Sequence, residues 1–161
     1  MSAPDETVAE VLGAVPLDEL ERLLTRAALL RSFRSFVGWS WPLITGAAYV
    51  PNPISERIIE TLQRVGDGEL IRVLIACPPG VGKTSLLACY SGWRRARDAA
   101  HRSIHGSHSF DLSSTESRRV RRFVEGDEYR RMFPTVELRV DESTVGLWAT
   151  TAGGAYIAVG V

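Results

Sequence analysis

Between Leu70 and Tyr90 the chain reads LIRVLIACPPGVGKTSLLACY. An apolar, partly β-branched run stops at Pro78 and Pro79, passes Gly80 and Gly82, and turns apolar again behind Lys83 and Thr84. A short apolar run bounded by turn residues is the pattern of a strand buried on both faces, as in a parallel sheet. The stretch from Lys83 to about Arg95 reads as a helix. Strand, tight turn and helix follow one another with almost no spacer, which places the chain in the α/β class.

The turn itself carries chemistry. Cys77 to Thr84 follows the phosphate-binding pattern G-x-x-x-x-G-K-S/T, with Cys77 in place of the first glycine. Gly80 and Gly82 let successive backbone N–H groups point inward. The helix starting near Lys83 adds the positive end of its dipole. Lys83 is expected to reach the β- and γ-phosphates as a point charge, and the Thr84 hydroxyl to complete a Mg²⁺ shell. Pro79, Gly80, Val81, Gly82, Lys83, Thr84 and Ser85 are the predicted cradle, and ATP with Mg²⁺ its predicted occupant. Eighteen of the nineteen basic residues are arginine, so the single lysine stands where the pattern requires one. The alternative is a Gly/Pro-rich turn with an exposed lysine.

Around this stretch the other elements fall into order. Residues 5–14 suit a short helix. Leu17, Leu20, Leu23, Leu24, Ala27, Ala28 and Leu30 recur at helical spacing behind Pro16, and the pattern runs on through Phe33, Phe36 and Val37 to Trp39. Residues 38–53, with three prolines and two glycines, read as a loop whose Trp39, Trp41 and Tyr49 pack on the core, with base stacking as the alternative. Ser55 is expected to cap a helix to about Val65. A weaker strand is expected over 102–110, a helix capped by Ser113 or Ser114 and running to about Glu125, and a helical turn over 127–134. Strands are expected over 136–140 and on both sides of a two-residue turn at Gly153–Gly154. The expectation is a partial nucleoside-triphosphatase core over 51–161, a parallel sheet with flanking helices and a β-hairpin, behind an N-terminal helical and aromatic segment over 1–50.

Charge narrows the partners. The net charge is zero, but residues 1–25 hold six acids and one base, whereas residues 83–131 hold eleven bases and six acids. Only the middle is suited to face a polyanion. Arg118 and Arg122, four apart, share a face of their helix and are candidate phosphate-backbone contacts; a solvated face paired with Glu116 and Glu125 is the alternative. Cys77 and Cys89 show no metal or disulfide spacing and read as small buried residues of a reducing compartment. His101, His105 and His108 would bind metal together only on a helix, which Gly106 disfavours. Residues 143–161 carry no charge, but their glycines make them strands rather than a membrane span, and residues 1–12 are no signal peptide.

Several segments, in order, resemble the N-terminal ATPase part of phage terminase large subunits, the motors that package viral DNA: SFRSFVGWSWPLI, NPISERIIETLQRVGDGELIRVLIACPPGVGKTS, STESRRVRRFVEGDEYRRMFP and LWATTAGGAYIAVGV. The resemblance covers about residues 31–161. It implies ATP hydrolysis coupled to translocation of double-stranded DNA in the bacterial host's cytoplasm. A portal, a small DNA-recognising subunit and further copies in a ring are the implied partners. Two positions depart from the family: Gly80 stands where an arginine is frequent, and Ser55 where a histidine is. The family's hydrolytic acidic pair lies beyond the hairpin. Within the chain, Asp141 with Glu142, or Asp111, are the alternatives, but Glu137 and Arg139 disfavour a doubly buried strand before Asp141. The expectation is a fragment that binds nucleotide and hydrolyses it poorly. The turn PPGVGKT also resembles AAA-type loader and remodelling ATPases, and a nucleotide-binding remnant without turnover is a third reading.

Overall fold

The computed structural model describes residues 16–144 and 146–160. The helix expected over 5–14 lies outside them. The described residues form a mixed α/β structure.

The long N-terminal helix divides in two, α1 (Leu17–Arg31) and α2 (Phe33–Thr45). Ser32 is the break: its backbone is extended and its hydroxyl accepts the Ser35 N–H at 3.1 Å. A serine hydroxyl that satisfies a free N–H starts a new helix more readily than it continues an old one. Helix α2 then runs through Pro42 into the expected loop and closes on Gly46, left-handed with φ 75°. Its buried face of Phe33, Phe36, Val37 and Ser40 explains why it persists there.

Helix α3 (Pro53–Gly66) starts at Asn52, whose side-chain oxygen accepts the N–H groups of Ile54 and Ser55 at 3.1 and 2.9 Å. Pro53 occupies the first helical position, where no N–H is needed. Ser55, the expected cap, is the reciprocal partner instead: its hydroxyl accepts the Asn52 N–H at 3.2 Å.

The strand expected over 70–77 does not form. Residues 72–78 have no regular structure, and Ile71 and Leu74 are 91% and 94% exposed. A doubly buried strand needs hydrogen-bonded neighbours, and among the described residues none pairs with this run. Helix α4 (Lys83–Arg97) follows as expected.

The sheet comes after it. Strand β1 (Arg102–Ser107) leads into α5 (Phe110–Glu125) and α6 (Asp127–Met132), then β2 (Leu138–Ser143), β3 (Leu147–Thr150) and β4 (Ala155–Gly160). The order is β1-β4-β3-β2, with β1 and β4 parallel and the other pairs antiparallel, so the sheet is mixed rather than parallel. Ser109, not Ser113 or Ser114, caps α5; those two serines are buried on its inner face. The hairpin turn is wider than two residues: Thr150 donates its N–H to the Gly154 carbonyl at 2.9 Å, and Gly153 turns the chain at φ 89°.

One core joins these parts. Phe33, Phe36, Trp93, Phe123, Tyr129 and Phe133 are each no more than 5% exposed. Phe123 meets Tyr129 at 5.0 Å between ring centres, and Phe36 meets Phe133 at 5.8 Å. Each such pair contributes about 0.5–1.5 kcal/mol beyond area burial. The polar ends are satisfied: Tyr129 donates to the Gly92 carbonyl at 2.8 Å and Trp93 to the Leu29 carbonyl at 3.0 Å. Trp39, Trp41 and Tyr49 pack against this core as expected. No helix among the described residues is long and apolar enough to cross a membrane.

Helices α4 and α5 meet at Gly92, where an added Cβ would lie 2.4 Å from a Phe123 ring carbon. Gly92→Ala is therefore expected to destabilise by about 1–3 kcal/mol through overpacking, although alanine favours an open helix by about 1 kcal/mol. Urea unfolding checks this; a midpoint at or above the parent's would show that Phe123 yields instead.

Candidate functional site

The turn before α4 has the backbone that its glycines allow. Gly80 and Gly82 are left-handed, at φ 85° and 82°, and nothing lies within 4 Å of a Cβ built on Gly80. Gly82 is the residue from which α4 starts, and no side chain caps that helix end. No acid stands in its first turn either, so the N-terminal N–H groups keep their positive potential.

Lys83, the first residue of α4, folds back into the turn. Its Nζ donates to the Cys77 carbonyl at 2.6 Å and lies 3.4 Å from the Pro78 carbonyl. The ammonium thus sits among backbone atoms of the turn rather than in open solvent. Val81, Lys83 and Ser85 are half-buried, whereas Pro79, Gly80 and Thr84 are exposed. Lysine and glycine turn are brought together at the start of α4, next to the exposed Thr84; backbone donors at a helix start with one flexible cationic side chain suit an anion.

Two neighbours support the turn. From one side Trp41 closes on Gly82, where a Cβ would meet the ring at 2.8 Å. Trp41 packs edge-on against Tyr49 at 5.1 Å, and the Tyr49 hydroxyl is 2.8 Å from the Ser55 hydroxyl and donates to Glu56 at 3.1 Å. Helices α2 and α3 thereby buttress the turn. From the other side, α5 brings Arg119, whose Nη2 donates to the Ser85 hydroxyl at 2.9 Å. Arg119 also faces Glu116 at 3.6 Å. Glu116 lines a cavity of about 200 Å³ together with Thr84, Ser91, His105 and Tyr156.

The other candidates stand elsewhere. Arg118 and Arg122 are exposed on α5 and form no ion pair among the described residues; Glu116 and Glu125 pair with Arg119 and Arg121 instead. Asp111 is exposed in the first turn of α5. Asp141 lies on β2, the strand furthest from β1, and Arg139 takes both its oxygens at 3.1 and 2.8 Å. Glu142 is in β2, but its side chain lies outside the described residues. His105 lies in β1, with His101 just before the strand and His108 just after it; His101 and His105 are half-buried and His108 is exposed. Burial and the nearby Arg94 push His101 down to about 4. No cluster of three metal-binding side chains occurs among the described residues. Cys89 is buried and Cys77 half-buried, both as free thiols.

Sequence pattern does not mark Trp41, Glu116 or Arg119 as neighbours of the turn. The helical phase of α5 carries a signal for two of them. Phe123 is buried on α5 where it meets Gly92 of α4, and Arg119 and Glu116 lie one and two turns before it on the same side, whereas Arg118 is turned away.

Comparison of the chain with models of protein families, with curated proteins and with solved structures gives no match.

The Trp41–Gly82 contact separates two kinds of strain. Gly82→Ala combines a left-handed non-glycine residue, costing about 1–2 kcal/mol, with a clash against the Trp41 ring. In a Trp41→Ala background the same substitution should cost less, by the steric part alone. A double-mutant cycle on unfolding free energies reads the difference; equal costs in both backgrounds would mean that Trp41 does not constrain the turn.

Proposed function

We propose that the turn from Pro79 to Ser85 holds the triphosphate of ATP with Mg²⁺, and that the chain is the ATP-binding part of a viral DNA-packaging motor of the terminase large-subunit kind. The observation that carries the nucleotide reading is the Lys83 ammonium, folded inside a turn of two left-handed glycines at an uncapped helix start. In this reading Lys83 releases the Cys77 carbonyl and pairs with the outer phosphates. The backbone of Pro79, Gly80, Val81 and Gly82 lines the phosphate path, Ser85 donates its hydroxyl, and the Thr84 hydroxyl ligates the metal. Mg²⁺, when bound, neutralises charge that develops on the transferred phosphoryl group.

The motor reading rests on the ordered segments that resemble terminases and on the exposed Arg118 and Arg122, which suit contact with double-stranded DNA without reading its sequence. Portal, small subunit and a ring of further copies belong to that reading, as does the bacterial host's cytoplasm. The carboxylates for hydrolysis are assigned outside this chain, since Asp141 is engaged by Arg139 on a distant strand. The exposed apolar run at Ile71, Val73 and Leu74 fits the same view, because the complete motor core would cover it with further strands.

Two experiments test this. Lys83→Ala should weaken Mg-ATP binding by at least about tenfold, the scale of one charge-assisted hydrogen bond, in a calorimetric titration. Parent-like binding by the variant would refute the phosphate site. For DNA, the Arg118→Ala/Arg122→Ala variant should flatten the plot of log affinity against log salt by about 2, near one unit for each phosphate that is no longer neutralised. An unchanged slope would leave that face to solvent alone.

A further inference from the structure

We infer that Arg119 is a second cation of this phosphate site, acting on a bound polyphosphate from α5 and through Ser85. The inference rests on the nucleotide reading above and adds to it a residue from another helix. Ser85 stands in the first turn of α4, beside Thr84, with its hydroxyl 2.9 Å from Arg119 Nη2. A hydroxyl has one proton and two lone pairs. With a lone pair engaged by the guanidinium, the Ser85 proton is left to donate toward the turn. Arg119 therefore fixes the orientation in which Ser85 serves as a phosphate donor.

The charge acts directly as well. A guanidinium has five N–H groups. Arg119 directs one to Ser85, and its approach to Glu116, at 3.6 Å, is a charge contact longer than a good hydrogen bond. Side-chain exposures of 26% and 21% keep the pair partly out of water, where charges are screened less. Glu116 restrains the guanidinium beside the turn, and the cavity it shares with Thr84 extends from the same place. Within the turn Lys83 is the only cationic side chain, and Gly80 contributes none. Against a triphosphate, a cation one hydroxyl away is the nearest further source of positive charge among the contacts of Ser85.

The test uses the full chain as parent and as Arg119→Ala, Arg119→Lys, Arg119→Gln and Lys83→Ala, each titrated with Mg-ATP and with inorganic tripolyphosphate at several ionic strengths. Arg119→Ala and Arg119→Gln should lose about tenfold to a hundredfold in affinity for both ligands, with a shallower dependence on salt. Arg119→Lys should recover most of the affinity and the parent's salt dependence. If glutamine restores binding as well as lysine does, or if the alanine variant binds like the parent at every salt concentration, Arg119 only latches α5 to α4 and the inference fails. Loss in Lys83→Ala with none in Arg119→Ala refutes Arg119 alone. A parent chain that binds neither ligand refutes the phosphate site and Arg119's role together. Should Arg119→Ala not fold, the lysine and glutamine variants still decide between charge and latch.

Discussion

The Arg95 guanidinium joins the helical layer to the sheet, and the position of α4 depends on it. It is fully buried, on the helix that starts at Gly82. It donates to the Ser91 carbonyl and hydroxyl of its own helix at 3.0 and 3.1 Å, to the Ser103 hydroxyl of β1 at 2.8 Å and to the Ala155 carbonyl of β4 at 3.0 Å. Its cationic face lies 4.7 Å from the Trp148 ring and 5.2 Å from that of Tyr156, which are stacked 5.2 Å apart. Burial pushes its pKa down to about 10, so it stays charged at neutral pH. Burying a charge without a carboxylate costs several kcal/mol. Here carbonyls, hydroxyls and two π faces offset that cost, and Nε has no hydrogen-bond partner among the described residues. Because those acceptors come from both β1 and β4, the parallel pair and the helix are fixed together.

This joint places the candidate site. Arg95 holds the far half of α4 to the sheet, Trp93 ties its middle to α1 through the Leu29 carbonyl, and Trp41 supports its first turn from α2. A helix held along its length presents its N–H groups in a fixed direction, and preorganised donors act on an anion without the cost of reordering. The glycines need only shape the turn; the helix behind it is held by aromatic packing and one buried cation.

How much of this is legible in the sequence follows from the kind of information each feature uses. Helix α4, the glycine turn before it, α6 and the hairpin are local, written in periodicity and turn residues, and the structure has them. The run at 70–77 reads as a buried strand because its residues are apolar, but apolarity says that a segment is stable when covered, not what covers it. No described strand does so, and Ile71 and Leu74 stand in solvent. The caps differ from expectation for another reason. Asn52 and Ser55, like Ser109 and Ser113, are both competent hydrogen-bonding residues within one turn, and the choice between them depends on where the buried helical face begins. Pro42 suggests a loop by its own preference, and the buried face of α2 overrides it.

The arginines mark where sequence reading stops. Arg95 is sealed in the core, Arg97 covers the Trp93 ring at 4.6 Å, Arg119 reaches Ser85, and Arg118 faces solvent. Nothing in the residue type separates these roles, and Arg118 and Arg119 are neighbours. Successive side chains on a helix project about 100° apart, so one adjacent pair points to two different surfaces. The buried Phe123 decides which is which: it meets α4 at Gly92, and Arg119, one turn earlier on the same side of α5, reaches across to Ser85. The charge that the sequence spreads evenly over SRRVRRF is therefore divided by helical phase, Arg119 turned to α4 and Arg118 and Arg122 left on the outside.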